Sequence, residues 1–486
     1  MSIGRRHRVT GLVEDVKHGE TARLRLDLGL LDLVLIGIGA IVGAAIFVLP
    51  GIVASQYAGP ATVISFIVAA CGCACVGLCY AEFAAMIPVA GSAYSYAYAT
   101  AGELIAWLIG WNLCLEYLLA TAAVSVGWSG YVVALLKQVG VTLPTSLVEA
   151  PLTVGSVDHV VHTGGIVNAP AVLLICVMTY VLYRGLRTSK RANALVVLIK
   201  LISITAFVAL GALYIDPRNW HPFIPPNTGT IGHFGWTGIM RGAAVMFFAY
   251  LGFDVVATAA QESRAPQRDL PRGILLSLSV CAALYLLVSL VLTGLASYKT
   301  LNVPDPLYEA LGRAGAPHWV ASLVTLGAIV GVLSNVLVIL FAQSRIFYAM
   351  ARDGLLPPAM GAIHSRFGTP HWSIGIAGLG ATAIAAFLPI ELLTQLVSMG
   401  ALSAFIFVCM GVLVLRYTQP LRDRPFKAPL VPLIPALGTL ICLYMMISLP
   451  GAAWIRLVVW VSLGLILYFG YGKRRGKAVR ASAAPH

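Results

Sequence analysis

Residues 37–47 read GIGAIVGAAIF and lie in the middle of the first long apolar run of the chain, residues 28–57. Glycine costs about 1 kcal/mol relative to alanine inside a helix, so three glycines within seven positions weaken a helix at this point. Pro50 and Gly51 follow in the same run. Small residues also form helix-packing faces in membranes, so the segment alone is consistent with either a break or a packing face.

A second apolar run, residues 236–260, has a comparable weak point. It contains FFAYLGFD at residues 247–254, where a glycine, aromatic residues and Asp254 stand together. An ionisable residue at membrane depth is costly and marks a candidate functional site. The two runs are equivalent if a five-helix unit is used twice in inverted orientation, and paired interrupted helices indicate the substrate site of a secondary transporter. Unwound helix ends expose amides that suit a carboxylate and carbonyls that suit an ammonium, so an amino acid fits both.

The composition indicates a membrane protein built of helices. Of the 486 residues, 59% are hydrophobic and 10% are charged, whereas a soluble protein carries about 25% charged residues. A membrane span needs about 20 largely apolar residues. Such runs predict an all-α membrane protein with 12 transmembrane helices, at residues 28–57, 61–87, 92–136, 167–184, 192–215, 236–260, 272–298, 317–350, 371–389, 391–417, 429–449 and 452–471.

The net charge of +13 is explained by topology. Most Lys and Arg residues fall in the first 27 residues, in the loops that follow even-numbered spans, and after residue 471. The positive-inside rule then places both termini in the cytoplasm, for a multi-pass protein of the cell inner membrane. Nucleic acid is not needed as a partner, and the basic ends are suited to anionic membrane lipid.

Other function classes lack their motifs. No nucleotide-binding or hydrolase motif occurs, so an enzyme is not expected, and no repeated pore loop or charged ring favours a channel. Cys71, Cys75 and Cys79 fall on one helical face and are interpreted as packing residues rather than metal ligands. We therefore expect neither a metal nor a cofactor.

Several stretches together resemble the amino acid–polyamine–organocation superfamily, and in particular its cationic amino acid transporter branch. The likeness covers roughly residues 25–470. It rests on GAIVGAAIF (39–47), YAE (80–82) with PVAGSAY (88–94), GWNL (110–113) with EY (116–117), GFD (252–254) with PQRDLP (266–271), QSR (343–345) with AMARDG (349–354), and RPF (424–426). Ala45 departs from the family pattern, which usually has glycine there, and its methyl group narrows the approach to a substrate carboxylate.

The resemblance implies the LeuT-type fold, with a 5+5 inverted repeat and two peripheral helices. The implied segments are a cytoplasmic N-terminal segment (1–27), a first repeat (28–215), a second repeat (236–417), peripheral helices (429–471) and a cytoplasmic basic tail (472–486). By the same resemblance, the substrate-binding residues are Ile41, Gly43, Ala44, Ala45, Phe248, Leu251 and Ile339. Amides of residues 43–45 would meet the carboxylate, and carbonyls of residues 41, 248 and 251 would meet the ammonium. The Phe248 ring is expected to close over the substrate, with ordinary packing as the alternative.

Ionisable residues inside the predicted spans are candidates for proton coupling. Lys200 lies mid-span, where a lysine costs about 2.5–3.5 kcal/mol. It resembles the family's fifth-span lysine, which replaces a sodium ion beside the broken first helix. We interpret it as the proton-coupling group, with a structural pin to first-helix carbonyls as the alternative. Asp254 either stabilises the second break or receives a proton, and Glu116 is a candidate on the pathway.

The sequence predicts a secondary amino acid transporter that imports its substrate with protons by alternating access. An exchanger or uniporter of the same fold is the alternative, because no motif encodes coupling. The segment 336–341, which includes Ile339, is apolar and favours a neutral substrate, whereas Glu116 suits a cationic one. The sequence leaves the choice of amino acid, the oligomeric state and any accessory subunit open.

Overall fold

The computed structural model of the protein describes residues 27–43, 45–138, 140–148, 150–154, 160–162, 164–227, 229, 232–303, 305–388, 390–447, 451–473 and 475. The predicted terminal segments, 1–27 and 472–486, lie almost entirely outside these residues. The α-helices, in chain order, are α1 (Leu30–Ile41), α2 (Ala45–Val53), α3 (Thr62–Met86), α4 (Ala93–Thr100), α5 (Glu103–Gln138), α6 (Thr145–Val148), α7 (Ala169–Tyr183), α8 (Leu186–Gly211), α9 (Gly235–Phe247), α10 (Val255–Thr258), α11 (Pro266–Leu295), α12 (Pro306–Arg313), α13 (His318–Arg352), α14 (His371–Phe387), α15 (Ile390–Thr418), α16 (Leu433–Ile447) and α17 (Gly451–Leu467).

A small hairpin adds to this helical fold. Strand β1 (Leu152–Val154) pairs antiparallel with β2 (Val160–His162), and Leu152 lies opposite His162. The predicted all-α class is confirmed, and this hairpin is a minor addition to it. Both strands are only three residues long and lie in the connection between α6 and α7, where they do not interrupt the helical core.

Hydropathy and length identify the helices that can cross a membrane. In the part of the chain that the structure describes, seven helical segments are long and apolar enough: Ala45–Met86, Glu103–Lys137, Ser189–Tyr214, Pro266–Leu295, His318–Arg352, Met399–Thr418 and Trp454–Gly472. Shorter apolar helices are Leu30–Ile41, Ala169–Tyr183, His371–Phe387 and Leu433–Ile447. The structure thus has the helices of a multi-pass protein, while the count of twelve spans stays a prediction.

The helices pack around the two predicted weak points. Helix α11 lies against α1 and α3, helix α13 lies against α5 and α8, and α15 packs on α5 and α16. Within α1, Gly37 lies under Ser277 of α11, and a Cβ at this position would come 2.5 Å from the Ser277 Cβ. Gly39 packs against Asn193 of α8, and a Cβ at Gly39 would come 2.7 Å from the Asn193 Oδ1. These two glycines are packing positions, and only Gly43 lies in the bend beyond α1.

The third predicted span, residues 92–136, is divided in two. Helix α4 ends at Thr100, and the amides of Ala101 and Gly102 both donate to the carbonyl of Ala97, at 2.8 and 3.2 Å. Gly102 has a φ of +95°, a left-handed conformation that glycine adopts without a steric penalty. A glycine C-cap therefore stops α4, and α5 starts as a separate helix at Glu103.

The face of α3 that carries the predicted cysteine stripe is only partly buried. Cys79 is buried, Cys75 is half-buried and Cys71 is exposed. Of the three, only Cys79 packs fully inside the fold, because Cys71 lies on an outward-facing side of α3 while Phe66 and Cys73 of the same half are buried. The interpretation of the three cysteines as packing residues stays a prediction.

A buried carboxylate joins the ends of α3 and α15. Glu82 accepts two hydrogen bonds from Arg416, at 3.0 and 2.8 Å, and one from the backbone amide of Ala428 at 2.8 Å. Arg424 forms an ion pair with the same carboxylate at 3.3 Å, and both of these side chains are nearly inaccessible. Glu82 thereby fixes the loop between α15 and α16, in agreement with the structural role that its position at the end of α3 suggests.

Replacing Glu82 with alanine is expected to destabilise the protein strongly. Arg424 would remain buried without its counter-ion, and breaking a buried ion pair costs about 3–5 kcal/mol. The thermal unfolding midpoint of the purified protein in detergent measures the effect. Glu309→Ala is the matched control, because its pair with Arg313 is exposed and such a helical pair contributes only about 0.3–0.5 kcal/mol. Equal midpoints for the two variants would contradict the buried anchor.

Candidate functional site

The first helix is interrupted at Val42 and Gly43. The Val42 amide makes the last helical hydrogen bond, to the carbonyl of Ile38 at 2.9 Å, and the Gly43 amide folds back onto the carbonyl of Ile41 at 3.0 Å. The chain resumes as α2 at Ala45. A helix that ends inside a protein leaves its last carbonyls without helical donors, and these must find other partners. The partners found here come from three neighbouring helices.

Lys200 of α8 caps two of these carbonyls. Its ammonium lies 3.4 Å from the carbonyl oxygen of Gly39 and also donates to the carbonyl oxygen of Val42. Lys200 is fully buried, and no carboxylate among the described residues pairs with it. The C-terminal end of a helix carries a partial negative charge, so a cation here is stabilised by the helix dipole and by charge-assisted hydrogen bonds.

Asn335 of α13 caps a third carbonyl of the broken end. Its amide nitrogen lies 2.5 Å from the carbonyl oxygen of Ala40, and its side chain is 5% exposed. It also lies under Gly43, where a Cβ would be 3.0 Å from the Asn335 Nδ2. The sequence prediction missed this residue, although a polar side chain within an apolar span was the same signal that identified Lys200.

Tyr285 of α11 connects the two interrupted helices. Its hydroxyl lies 3.1 Å from the carbonyl oxygen of Ile41 and 2.8 Å from that of Ala249. The ring stacks on Phe66 of α3 at a centroid distance of 5.3 Å, which holds the hydroxyl in place. The sequence prediction also missed Tyr285, because a single tyrosine in an apolar helix is usually a packing residue.

Replacing Tyr285 with phenylalanine is expected to lower transport while the protein stays folded. The variant keeps the stacked ring but leaves the buried Ala249 carbonyl without this donor, which costs about 1–3 kcal/mol. Uptake into proteoliposomes should fall by about tenfold, as expected for 1.4 kcal/mol. Tyr80→Phe is the control, because the buried Tyr80 hydroxyl has no hydrogen-bond partner among the described residues. A Tyr285→Phe rate equal to that of the control would contradict a role for the hydroxyl.

The second interruption lies between α9 and α10. Helix α9 ends at Phe247, a 3-10 turn covers Phe248–Tyr250, and α10 begins only at Val255. Gly252 has a φ of +114°, and a Cβ there would lie 2.9 Å from both the carbonyl carbon and the oxygen of Ala40. The backbones of the two breaks are therefore in direct contact.

Most of the predicted substrate-binding residues fall at these breaks, with one difference in hydrogen bonding. The Gly43 amide and the Ile41 carbonyl, assigned to opposite ends of the substrate, are hydrogen-bonded to each other. Leu251 and Ala45 are half-buried at the second and first breaks respectively. Ile339 is buried on α13, one turn beyond Asn335. Ala44 and the side chain of Phe248 lie outside the described residues.

The predicted acidic residues are both buried, Asp254 directly before α10 and Glu116 on α5. Asp254 is buried and accepts a hydrogen bond from the Tyr117 hydroxyl, while its backbone carbonyl accepts from Ser92 at 3.3 Å. Glu116, the neighbour of Tyr117 on α5, is also buried, and its Oε2 has no hydrogen-bond partner among the described residues. It packs under Gly400 of α15, where a Cβ would lie 3.1 Å from the Oε2.

The known proteins that this chain resembles are transporters. The family model of the amino acid permeases matches residues 28–469. The chain is 42% identical over 455 residues to the branched-chain amino acid permease BcaP of Bacillus subtilis, covering 93% of this chain and 94% of the relative. It is 43% identical over 443 residues to a methylthioribose transporter of the same organism, covering 91% of this chain and 92% of the relative.

A third relative comes from a plant. The chain is 38% identical over 421 residues to a vacuolar cationic amino acid transporter 4 of Arabidopsis thaliana, covering 86% of this chain and 68% of the relative. The matched region of the family model includes both interrupted helices and Lys200. The chain belongs to the amino acid permease family, within the amino acid–polyamine–organocation superfamily, and is a membrane transporter rather than an enzyme.

Proposed function

We propose that this transporter carries an amino acid by alternating access, with the substrate bound between the two helix breaks. The observation that carries the proposal is the backbone contact of Gly252 with Ala40, beside a fully buried Lys200. A site built from two broken helices offers helix-end amides and carbonyls to the charged ends of a zwitterion. Family membership supports an amino acid as the substrate.

Substrate binding would exchange hydrogen bonds that the protein now makes with itself. The amides of Gly43, Ala44 and Ala45 bind the carboxylate, and the Ile41 carbonyl joins those of Phe248 and Leu251 around the ammonium. For this the bond between the Gly43 amide and the Ile41 carbonyl opens, so the substrate replaces an internal contact. The Phe248 ring closes the site, and Ile339 forms part of the wall around the substrate side chain.

Lys200 is the proposed proton-coupling residue, together with Asp254. Lys200 is fully buried and contacts the broken end of α1, so a change in its protonation state would act directly on the break. The neutral amine keeps two N–H donors but loses its charge, so it would hold the carbonyls of Gly39 and Val42 more weakly and loosen the broken end of α1. Glu116, the neighbour of Tyr117 in the chain, is the proposed residue of the transport pathway.

The proposed topology is a LeuT-type fold of twelve spans. Residues 28–215 and 236–417 form the inverted repeats, residues 429–471 are peripheral, and both termini face the cytoplasm from the inner membrane. Support comes from the two breaks at equivalent positions of the repeats and from the basic residues, which cluster on one predicted side of the membrane.

A neutral amino acid is the favoured substrate. Ile339 and the neighbouring residues from Val336 to Phe341 are apolar and buried on α13. The relative from Bacillus subtilis that is named a branched-chain permease is similar over nearly its whole length. Cationic amino acids form the second candidate class, because one carboxylate oxygen of Glu116 has no partner among the residues that the structure describes, and another relative is named a cationic amino acid transporter.

Uptake by the purified protein in liposomes tests this function. Labelled leucine, arginine and methylthioribose are supplied with and without an inward proton gradient. Gradient-stimulated uptake of leucine is the expected result, and arginine uptake would instead identify the cationic class. Uptake that ignores the gradient but requires internal amino acid would make the protein an exchanger. Transport of methylthioribose without either amino acid would overturn the assignment of an amino acid substrate.

A further inference from the structure

Asn335 has an unused hydrogen-bond acceptor at the first break. Its side chain is 5% exposed, and its Oδ1 has no hydrogen-bond partner among the described residues. A buried polar atom without a partner is costly and needs an explanation, such as a ligand that completes it. The same carboxamide packs against Gly43, where a Cβ would lie 3.2 Å from the Asn335 Cγ.

The hydrogen bond to α1 determines which atom is the free one. The Ala40 carbonyl can only accept, so the Asn335 atom that faces it at 2.5 Å must be the amide nitrogen. The other atom is then the carbonyl oxygen, an acceptor with two lone pairs. The Ala40 carbonyl thus fixes the orientation of the Asn335 carboxamide.

Neighbouring acceptors at the break are already in use. The Ile41 carbonyl accepts from the Gly43 amide at 3.0 Å and lies 3.1 Å from the Tyr285 hydroxyl. The Gly39 and Val42 carbonyls accept from Lys200. Among the described residues, the Asn335 oxygen is therefore a side-chain acceptor that remains open at the negative end of α1, where a positively charged group is favoured.

We infer that the Asn335 side-chain oxygen binds the α-ammonium group of the substrate, in addition to the backbone carbonyls of the two breaks. The inference rests on the proposed amino acid transport. It adds a side-chain ligand to a site otherwise made of backbone, and it makes Asn335 a determinant of preference for amines over hydroxy acids. The Asn335 nitrogen meanwhile holds the acceptor in place through Ala40.

Asn193 provides an internal comparison. It lies on α8 and donates to the Leu35 carbonyl at 3.1 Å. Its Oδ1 packs against Gly39 and has no hydrogen-bond partner in the described part of the chain. It therefore has the same chemistry as Asn335 along the intact part of α1, below the break. Loss of Asn193 removes a comparable interhelical hydrogen bond without removing an acceptor from the break.

Competition between an amino acid and its α-hydroxy acid tests the inference. Unlabelled leucine and 2-hydroxy-4-methylpentanoate compete with labelled leucine for uptake by wild type, Asn335→Ala, Asn335→Asp and Asn193→Ala; arginine and its hydroxy analogue replace them if arginine is the substrate. Asn335→Ala should lower the preference for the amino acid by about tenfold, the effect of one hydrogen bond to a charged group. Asn193→Ala should keep the wild-type preference.

Asn335→Asp separates the ligand role from a structural one. An ionised aspartate loses the bond to Ala40 but keeps the acceptor, and a protonated one keeps both, so the preference for the amino acid should survive. Equal loss of preference in the Ala and Asp variants, or an unchanged preference in both, would overturn the inference while leaving amino acid transport intact. Failure of wild type to take up either amino acid would instead overturn the proposed function, and this inference with it.

Discussion

Replacing Lys200 with methionine abolishes the stimulation of uptake by a proton gradient and lowers the uptake rate by about thirtyfold or more. The two carbonyls that Lys200 caps, Gly39 and Val42, would be left buried without this donor. Each unsatisfied group costs about 1–3 kcal/mol, and a loss of only 2 kcal/mol corresponds to about thirtyfold. Methionine keeps an unbranched side chain of similar length, so the change removes the charge with little loss of packing.

Uptake by liposomes with and without an imposed pH difference provides the measurement. Lys299→Met is the matched control, because it removes one positive charge from an exposed turn far along the chain. The control should keep the wild-type response to the gradient. A Lys200→Met variant that is still stimulated by the gradient would contradict proton coupling through Lys200, and would leave it as a structural cap for the broken end of α1.

Replacing Gly252 with alanine is expected to lower uptake by at least about tenfold. Its methyl group would lie 2.9 Å from the carbonyl carbon and oxygen of Ala40, both of them backbone atoms that cannot rotate away. The φ of +114° adds strain for any residue with a side chain, of about 1–3 kcal/mol. The two breaks would therefore be forced apart.

Gly375→Ala is the control for this substitution. Gly375 lies in α14, and a Cβ there would meet no atom within 4 Å, so alanine should be tolerated or should stabilise the helix slightly. Uptake rates, corrected for the amount of reconstituted protein, provide the comparison. A Gly252→Ala variant as active as Gly375→Ala would show that close contact of the breaks is not required.

The glycine pattern predicted the break in the first helix but did not show that the three glycines have different roles. Gly37 and Gly39 allow α11 and α8 to approach closely, whereas Gly43 lies in the interruption itself. All three residues are equally weak helix formers, so propensity alone treats them alike. Their difference arises from Ser277 and Asn193, which are distant in sequence and come close only in the fold.

The residues that cap the broken end of α1 also differ in how easily the sequence reveals them. Lys200 could be found from the sequence, because a lysine in the centre of an apolar span is costly enough to demand a partner. Asn335 and Tyr285 are less costly in the same setting and were passed over. Side chains from three helices donate hydrogen bonds to consecutive carbonyls at the end of α1. This arrangement depends on tertiary geometry, which no local pattern encodes.

The break between α4 and α5 was missed for a different reason. The apolar character of residues 92–136 is continuous, and hydropathy alone therefore predicts one long span. Gly102 interrupts the helix by backbone conformation and leaves the hydropathy unchanged. A glycine C-cap was the available signal, but an isolated glycine is common in membrane helices and predicts a break only weakly.

Binding of the substrate between the two breaks is tested most directly by a structure of the protein in lipid nanodiscs with saturating leucine, or with arginine if that is the substrate taken up. The expected result is density for the amino acid with its carboxylate at the amides of residues 43–45 and its ammonium beside residues 41, 251 and 335. The bond between the Gly43 amide and the Ile41 carbonyl should then be open. Substrate density elsewhere in the protein, with that bond intact, would contradict binding at the helix breaks.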